Sequence, residues 1–178
     1  KTLTFSLSSA SLAENSGSTV TLTATTTKAV TSDTVVNITL GGGATNNIDY
    51  ATSASSLTIL SGNKTGSLTF TLTDDSVYEG DETISFSAFD ITGDSNYTSS
   101  SPTEDFTITE NESAPTVTLT SSASSVAESG SALTLTATLS GATDEEVTVG
   151  ISTSGTGTEG TDYSTISDII ITAGSTTG

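Results

Sequence analysis

The sequence has no cysteine, histidine or arginine, and its basic residues are three lysines, Lys1, Lys28 and Lys64. Without cysteine, the chain forms neither disulfide bonds nor thiolate metal sites. It also lacks most of the general bases, nucleophiles and anion-binding groups on which enzymes depend. A carboxylate pair can still hydrolyse glycosides, but the sequence shows no sign of the deep aromatic cleft that such an enzyme needs. We therefore predict that the protein is not an enzyme.

The shortage of lysine leaves the acidic residues unbalanced. Three lysines stand against 21 aspartates and glutamates, which gives a formal net charge of −18 and an isoelectric point near 4.1. Nucleic acids and anionic membrane surfaces are bound through lysine and arginine, so we predict neither as a partner. No apolar run is long enough to span a bilayer, and we predict no membrane insertion. Because the chain starts at Lys1 rather than at a methionine, we expect it to be a piece of a longer protein.

Apolar residues are few but regularly spaced. They make up 32% of the chain, and Val20, Leu22 and Ala24 alternate with threonines, as in a strand with one buried face. No window indicates an amphipathic helix. About seven short strands follow one another at intervals of roughly 8–12 residues, which is typical of an immunoglobulin-like sandwich. The predicted strands are 3–7, 18–26, 33–40, 57–60, 68–72, 84–89 and 105–109.

The second half of the chain repeats the first. Residues 125–131 restate residues 11–18 with one deletion, so that Glu128 corresponds to Glu14, and Asp162 corresponds to Asp49. A repeat of this length indicates tandem domains rather than a solenoid. The predicted class is therefore all-β, with immunoglobulin-like antiparallel β-sandwiches in tandem.

The second copy contains counterparts of only part of the first. We predict one complete sandwich over residues 1–112 and the N-terminal part of another over residues 113–178, in which Gly178 aligns with Gly66. Counterparts of residues 67–110 are absent, so we expect sheet edges and half a core to be exposed there. Two interpretations stay open. Either the chain is a fragment, or strands of a neighbouring chain complete the second sandwich.

The most distinctive stretch is an acidic turn, residues 74–82, in which five of nine residues are carboxylates. It lies between two predicted strands, where this much negative charge is unfavourable without a cation. Oxygen ligands without histidine or cysteine suit calcium better than zinc or copper. Because a sandwich gathers its loops at two ends, Glu14 and residues 110–112 are expected to join the turn. The competing interpretation is a solvated acidic face.

Four stretches together resemble the Calx-beta domain, a calcium-binding sandwich known from sodium–calcium exchangers and integrin β4 and common in bacterial surface proteins. They are residues 12–17, 49–50, 73–82 and 106–112. The acidic turn is the most specific of them. The resemblance implies a set of calcium ligands at one end of the first sandwich: Glu14, Asp49, Asp74, Asp75, Glu79, Glu82, Glu110, Asn111 and Glu112.

The resemblance also implies a function. We expect a calcium-binding structural or adhesive module of a secreted or cell-surface protein, in which calcium rigidifies the tandem array. The expected partners are calcium ions, neighbouring repeats of the same protein and copies of itself. One alternative is a subunit of an extracellular filament, assembled by strand exchange between incomplete sandwiches. Another is a glycan-binding adhesion module, although nine aromatic residues offer little for sugars to stack on.

Overall fold

A computed structural model describes residues 1–52, 54–94, 96–97 and 102–178. The prediction of an all-β protein is confirmed. Within these ranges the only helical element is a single 3-10 turn, Glu14–Ser16. The strands are β1 Leu3–Leu7, β2 Ser11–Ala13, β3 Thr19–Thr26, β4 Thr34–Gly42, β5 Tyr50–Ala51, β6 Ser56–Ile59, β7 Thr65–Leu72, β8 Val77–Tyr78, β9 Glu82–Thr92, β10 Thr103–Thr109, β11 Val117–Ser121, β12 Leu135–Leu139, β13 Ala142–Thr143, β14 Val147–Val149 and β15 Ile169–Ile171.

The first compact unit comprises residues 1–75 and 80–111 and is a two-sheet sandwich. One sheet has the strand order β1-β3-β7-β5 and the other β2-β10-β9-β4-β6. Neighbouring strands are antiparallel except β2 and β10, which run parallel. The apolar residues that alternate with polar ones in the sequence lie on one buried face of each strand. Across β3 and β7, for example, Val20 pairs with Phe70 and Leu22 pairs with Leu68, and all four side chains are buried.

An aromatic cluster joins the two sheets of this unit. The ring of Phe70, on β7, lies 5.3 Å from the rings of both Phe86 and Phe106 on the opposite sheet, measured between centroids. Tyr50 completes the cluster at 6.1 Å from Phe70, in an edge-on arrangement. All four side chains are at most 2% exposed. The core of the first unit is therefore centred on Phe70.

Strand boundaries differ from the predicted ones where polar residues continue a hydrogen-bonded ladder. Strand β9 extends past both ends of the predicted strand 84–89, because β10 pairs with it from Glu82 and β4 pairs with it as far as Thr92. Residues 11–13, which belong to none of the predicted strands, form β2, which pairs with β10 without showing apolar alternation. Hydrophobic periodicity does not detect pairing of this kind.

The second compact unit comprises residues 76–79 and 112–178. It contains three two-stranded sheets: β11 with β12, β13 with β8, and β14 with β15. Its fully buried core is small and consists of Ala137, Leu139 and Ile171. The predicted domain boundary after residue 112 stays a prediction. Within the described ranges, no helix has the length and apolarity needed to cross a membrane.

Candidate metal centre

The parallel pairing of β2 with β10 brings two glutamates together at one end of the first unit. Its register aligns Ala13 with Thr109, and the next residue on each strand is a glutamate. Carboxylate oxygens of Glu14 and Glu110 accordingly lie within 4.8 Å of each other. Glu14 is only 4% exposed and Glu110 is half-buried. A single register therefore makes neighbours of two residues nearly one hundred positions apart in the sequence.

A second pair forms where the loop before β5 meets the start of β9. Carboxylate oxygens of Asp49 and Glu82 lie within 4.8 Å of each other, and Asp49 is 4% exposed. The backbone fixes this loop at both ends: the Asp49 N–H donates to the Thr45 carbonyl at 3.0 Å, and the Thr73 N–H donates to the Asp49 carbonyl at 2.9 Å. The Thr45 N–H also donates to the Asp49 carboxylate. Asp49 is thus held in position by the loop itself.

Hydrogen bonds connect the acidic turn to the residues that follow β10. The Gly80 N–H donates to one Glu110 carboxylate oxygen at 2.8 Å, and the Asn111 N–H donates to the other at 2.7 Å. The Asp81 carboxylate in turn accepts from the Glu110 N–H at 2.9 Å. Gly80 adopts a φ of +79°, a left-handed conformation that glycine reaches without strain. These bonds hold both carboxylate oxygens and the N–H of Glu110 in place at this end of the unit.

The charge at this end is far from the lysines. The Thr26 hydroxyl lies within hydrogen-bonding distance of the carbonyls of Lys28 and Lys64, so both residues lie beside the end of β3. Glu14 precedes the other end of β3, roughly 23 Å away at about 3.3 Å per residue. Lys1 forms an ion pair with Asp94. A charge pair at 4.8 Å, the upper limit of these separations, repels by about 3.5 kcal/mol at an effective dielectric constant of about 20, and a cation bound to both carboxylates would offset this repulsion.

The carboxylate of Asp49 also affects the pKa of its chain neighbour Tyr50. Burial, and secondly the carboxylate of Asp49, raises the pKa of the Tyr50 hydroxyl above its ordinary value. Tyr50 belongs to the aromatic cluster around Phe70, so the loop that carries Asp49 is anchored directly in the core.

The other five predicted ligands do not belong to these two pairs. Asp74 and Asp75 are exposed. The Asn111 carboxamide oxygen accepts from the Asn15 N–H at 3.0 Å. Glu79 and Glu112 are half-buried and fall within the second compact unit, although Glu79 is bonded to Gly80 and Glu112 to Asn111 in the chain. The ligand set as a whole stays a prediction.

The roles of Asp81 and Gly80 were not predicted from the sequence. Asp81 holds the backbone of Glu110, and Gly80 donates to the Glu110 carboxylate. The signal was present as a glycine between two acidic residues, Glu79 and Asp81, because glycine in a turn often marks a position with positive φ. Only the structure shows that the N–H of Gly80 points toward the Glu110 carboxylate.

The second unit repeats the loop but not the pairs. The Thr158 N–H donates to the Asp162 carboxylate at 2.7 Å, as the Thr45 N–H does to that of Asp49. Glu128 and Asp162 are both exposed. Among the described residues, neither belongs to a group of three carboxylates close enough to share an ion.

The family model of the Calx-beta domain matches the chain twice, over residues 1–109 and 110–172. The chain belongs to the Calx-beta domain family. The two consecutive matches confirm the resemblance seen in the sequence, including its tandem arrangement, and with it the immunoglobulin-like sandwich. Calx-beta domains are a non-enzymatic family of calcium-binding modules.

Several solved structures are similar to this Calx-beta chain at low identity. The calcium binding domain CBD12 of CALX1.1 has a TM-score of 0.45 and 16% identity. The match covers 57% of this chain and 40% of that chain, so this chain spans less than half of that protein's length. The apo-form Calx CBD1 domain has a TM-score of 0.46 and 15% identity, covering 62% of this chain and 99% of that one. CBD12 from CALX1.2 has a TM-score of 0.47 and 12% identity, covering 99% and 71%. No curated protein matches the chain.

Proposed function

We propose that the first unit binds Ca²⁺ at the end of the sandwich where its four paired carboxylates lie. The observation that supports this most is the burial of one member in each pair. Glu14 and Asp49 are each 4% exposed, and each has a second carboxylate within 4.8 Å. Placing like charges together away from water is costly, and a bound cation offsets that cost.

The chemistry of the donors fits calcium. Calcium takes six to eight oxygen ligands and accepts carboxylates in one- or two-oxygen contacts. The four paired carboxylates, Glu14, Asp49, Glu82 and Glu110, carry eight oxygens. Glu79 and Glu112 adjoin this end through the chain, and Asp74 and Asp75 are exposed in the acidic turn that precedes β9. We include these four, together with the Asn111 carbonyl, as further ligands.

The consequence of binding is mechanical. An ion held by these residues would cross-link the end of β2, the end of β10, the start of β9 and the loop before β5. It would also fix residues 110–112, which lead directly into the second repeat, and so restrict the freedom of that connection. We infer that the protein is a calcium-stiffened, non-catalytic structural or adhesive module of a secreted or cell-surface protein. Its binding range would be that of extracellular modules, about 0.1–1 mM.

Thermal unfolding with and without calcium tests this proposal. The chain is melted with calcium, with magnesium and with EDTA, as wild type and as Asp49→Asn. At a calcium concentration of 100 times Kd, linkage predicts a stabilisation of about 2.7 kcal/mol in calcium relative to EDTA. Asp105→Asn is the matched control, because Asp105 is an exposed aspartate on β10 outside both carboxylate pairs.

We expect calcium to raise the melting temperature of the wild type and the control, and magnesium to have little effect. Asp49→Asn should lose most of the calcium increment while melting close to the wild type in EDTA. Coincident curves in all three buffers would mean that the carboxylates form a solvated face. Equal losses in calcium and EDTA would assign Asp49 a purely structural role.

A further inference from the structure

Strands β2 and β10, the parallel pair of the first unit, link the beginning of that unit's chain to its end. Strand β2 follows directly after β1, whereas β10 is the last strand before residues 110–112 lead into the second repeat. The two family matches are consecutive, over residues 1–109 and 110–172. Tension along the chain therefore reaches this unit through β1 and β2 on one side and through β10 on the other.

The points at which tension is applied lie at opposite ends of the sandwich. Leu3 begins β1 opposite Thr26, the last residue of β3. Thr109 ends β10 opposite Ala13, and the following residue, Glu14, lies toward the other end of β3. Because β2 and β10 run parallel, the chain is pulled at the beginning of one and at the end of the other. Tension therefore acts along both strands and in opposite directions.

The pairing of β2 with β10 resists this sliding motion. The Thr107 N–H donates to the Ala10 carbonyl at 3.0 Å at one end of the pair, and the Asn15 N–H donates to the Asn111 carboxamide at 3.0 Å at the other. Since the ladder bonds cross between the strands, tension along the strands loads all of them together. Strands that are peeled apart from one end lose their bonds one at a time instead. Between these ends, three consecutive residue pairs form the ladder: Ser11 with Thr107, Leu12 with Ile108, and Ala13 with Thr109.

The neighbouring strand pairs transmit tension less directly. Strand β1 pairs with β3, and β10 also pairs with β9, so that in each of these pairs the chain ends pull on one strand only. Among the described strands of the first unit, β2 and β10 form the pair in which both members lie next to a loaded end.

We propose that the β2–β10 pair is a mechanical clamp, which lets the first unit carry tension along the chain without unfolding. This function goes beyond calcium binding and does not rest on it, because the clamp consists of hydrogen bonds made by the chain itself. Forced unfolding is governed by the rate of unfolding rather than by the free energy of unfolding. A clamp therefore predicts a resistance that depends on the direction of pull.

The test stretches the whole chain between two introduced cysteines, which define the points of attachment because the chain has no cysteine of its own. Thr2→Cys with Ser113→Cys slides β2 past β10. Ser18→Cys with Ser113→Cys pulls near the ends of both strands and peels them apart. All three positions are exposed. Rupture forces are measured with optical tweezers in EDTA, and the released length, at about 3.5 Å per residue, identifies unfolding of the whole unit.

Two proline variants test the clamp within the sliding geometry. The Ala10 carbonyl points to β10, and backbone groups of alternate residues point to the same side of a strand, so the Leu12 N–H also faces β10 and the Ala13 N–H faces away. Leu12→Pro therefore removes a donor of the clamp. Ala13→Pro is the matched control, because Ala13 already has a φ of −67°, which a proline ring allows.

We expect the rupture force in the sliding geometry to be at least about twofold higher than in the peeling geometry, because three residue pairs resist together rather than one at a time. Leu12→Pro should lose most of this difference, and Ala13→Pro should keep it. Equal rupture forces in the two geometries would overturn the proposal, and this comparison needs no proline variant to fold. A folded Leu12→Pro chain that resists sliding as strongly as Ala13→Pro would also overturn it, because other strand pairs would then carry the load.

Discussion

The substitution Phe70→Leu tests the packing of the first unit, because it removes one ring from the aromatic cluster and keeps an apolar side chain. Phe70 is 1% exposed and contacts the rings of Tyr50, Phe86 and Phe106. An aromatic pair contributes about 0.5–1.5 kcal/mol beyond the area that it buries. Loss of three such pairs predicts a decrease of about 1.5–4.5 kcal/mol in the free energy of unfolding.

The matched control is Phe89→Leu, which makes the same chemical change at a side chain that is 66% exposed. Urea unfolding in EDTA, followed by circular dichroism, gives the midpoint and the slope for each variant. We expect Phe70→Leu to lower the midpoint with an unchanged slope, and Phe89→Leu to shift the free energy by less than about 0.5 kcal/mol. Equal shifts for the two variants would refute the view that Phe70 centres the core.

Three further predictions concern charge, backbone and the candidate site. The hydrogen bond from Lys1, and secondly that from the Thr31 N–H, holds the pKa of the Asp94 carboxyl well below its usual range, so its stabilisation is present above about pH 4 and is lost as the pH falls below that value. Asp94→Asn should therefore melt below the wild type at pH 7, and the difference should shrink toward pH 2. Gly42→Ala should destabilise the first unit by more than 1 kcal/mol in urea unfolding, because Gly42 has a φ of +104° and a Cβ there would overlap a backbone carbonyl of β9. Calcium should lower the pKa of Tyr50 in an absorbance titration by neutralising Asp49, whereas an unchanged titration would place the ion elsewhere.

The sheets were predictable because alternation is a local signal. The alternation at Val20 and Leu22 indicates the buried face of β3, and the repeat of this pattern at Leu133 and Leu135 indicates a second sheet. The acidic turn also stood out by composition alone. Which carboxylates meet was not predictable to the same degree. The neighbourhood of Glu14 and Glu110 follows from a parallel register that no local pattern encodes.

The ion pair between Lys1 and Asp94 was missed for a similar reason. Asp94 is 4% exposed and accepts hydrogen bonds from the Thr31 N–H and hydroxyl, both at 2.9 Å, and from the Asn96 N–H at 3.1 Å. In the sequence, Asp94 is one aspartate among many in a polar loop. Its partners are dispersed along the chain, and only the closed sandwich brings them together.

Direct measurement of calcium binding is the most decisive test of the calcium site. Calcium is titrated calorimetrically into the wild type and into the double variant Glu14→Gln/Asp49→Asn, at low ionic strength and after removal of residual metal. Each substitution neutralises the buried member of one carboxylate pair. We predict that the wild type binds at least one calcium ion per chain and that the double variant, although folded, binds at least tenfold more weakly. Absence of binding by the wild type at millimolar calcium, or equal affinity in the folded double variant, would contradict the account.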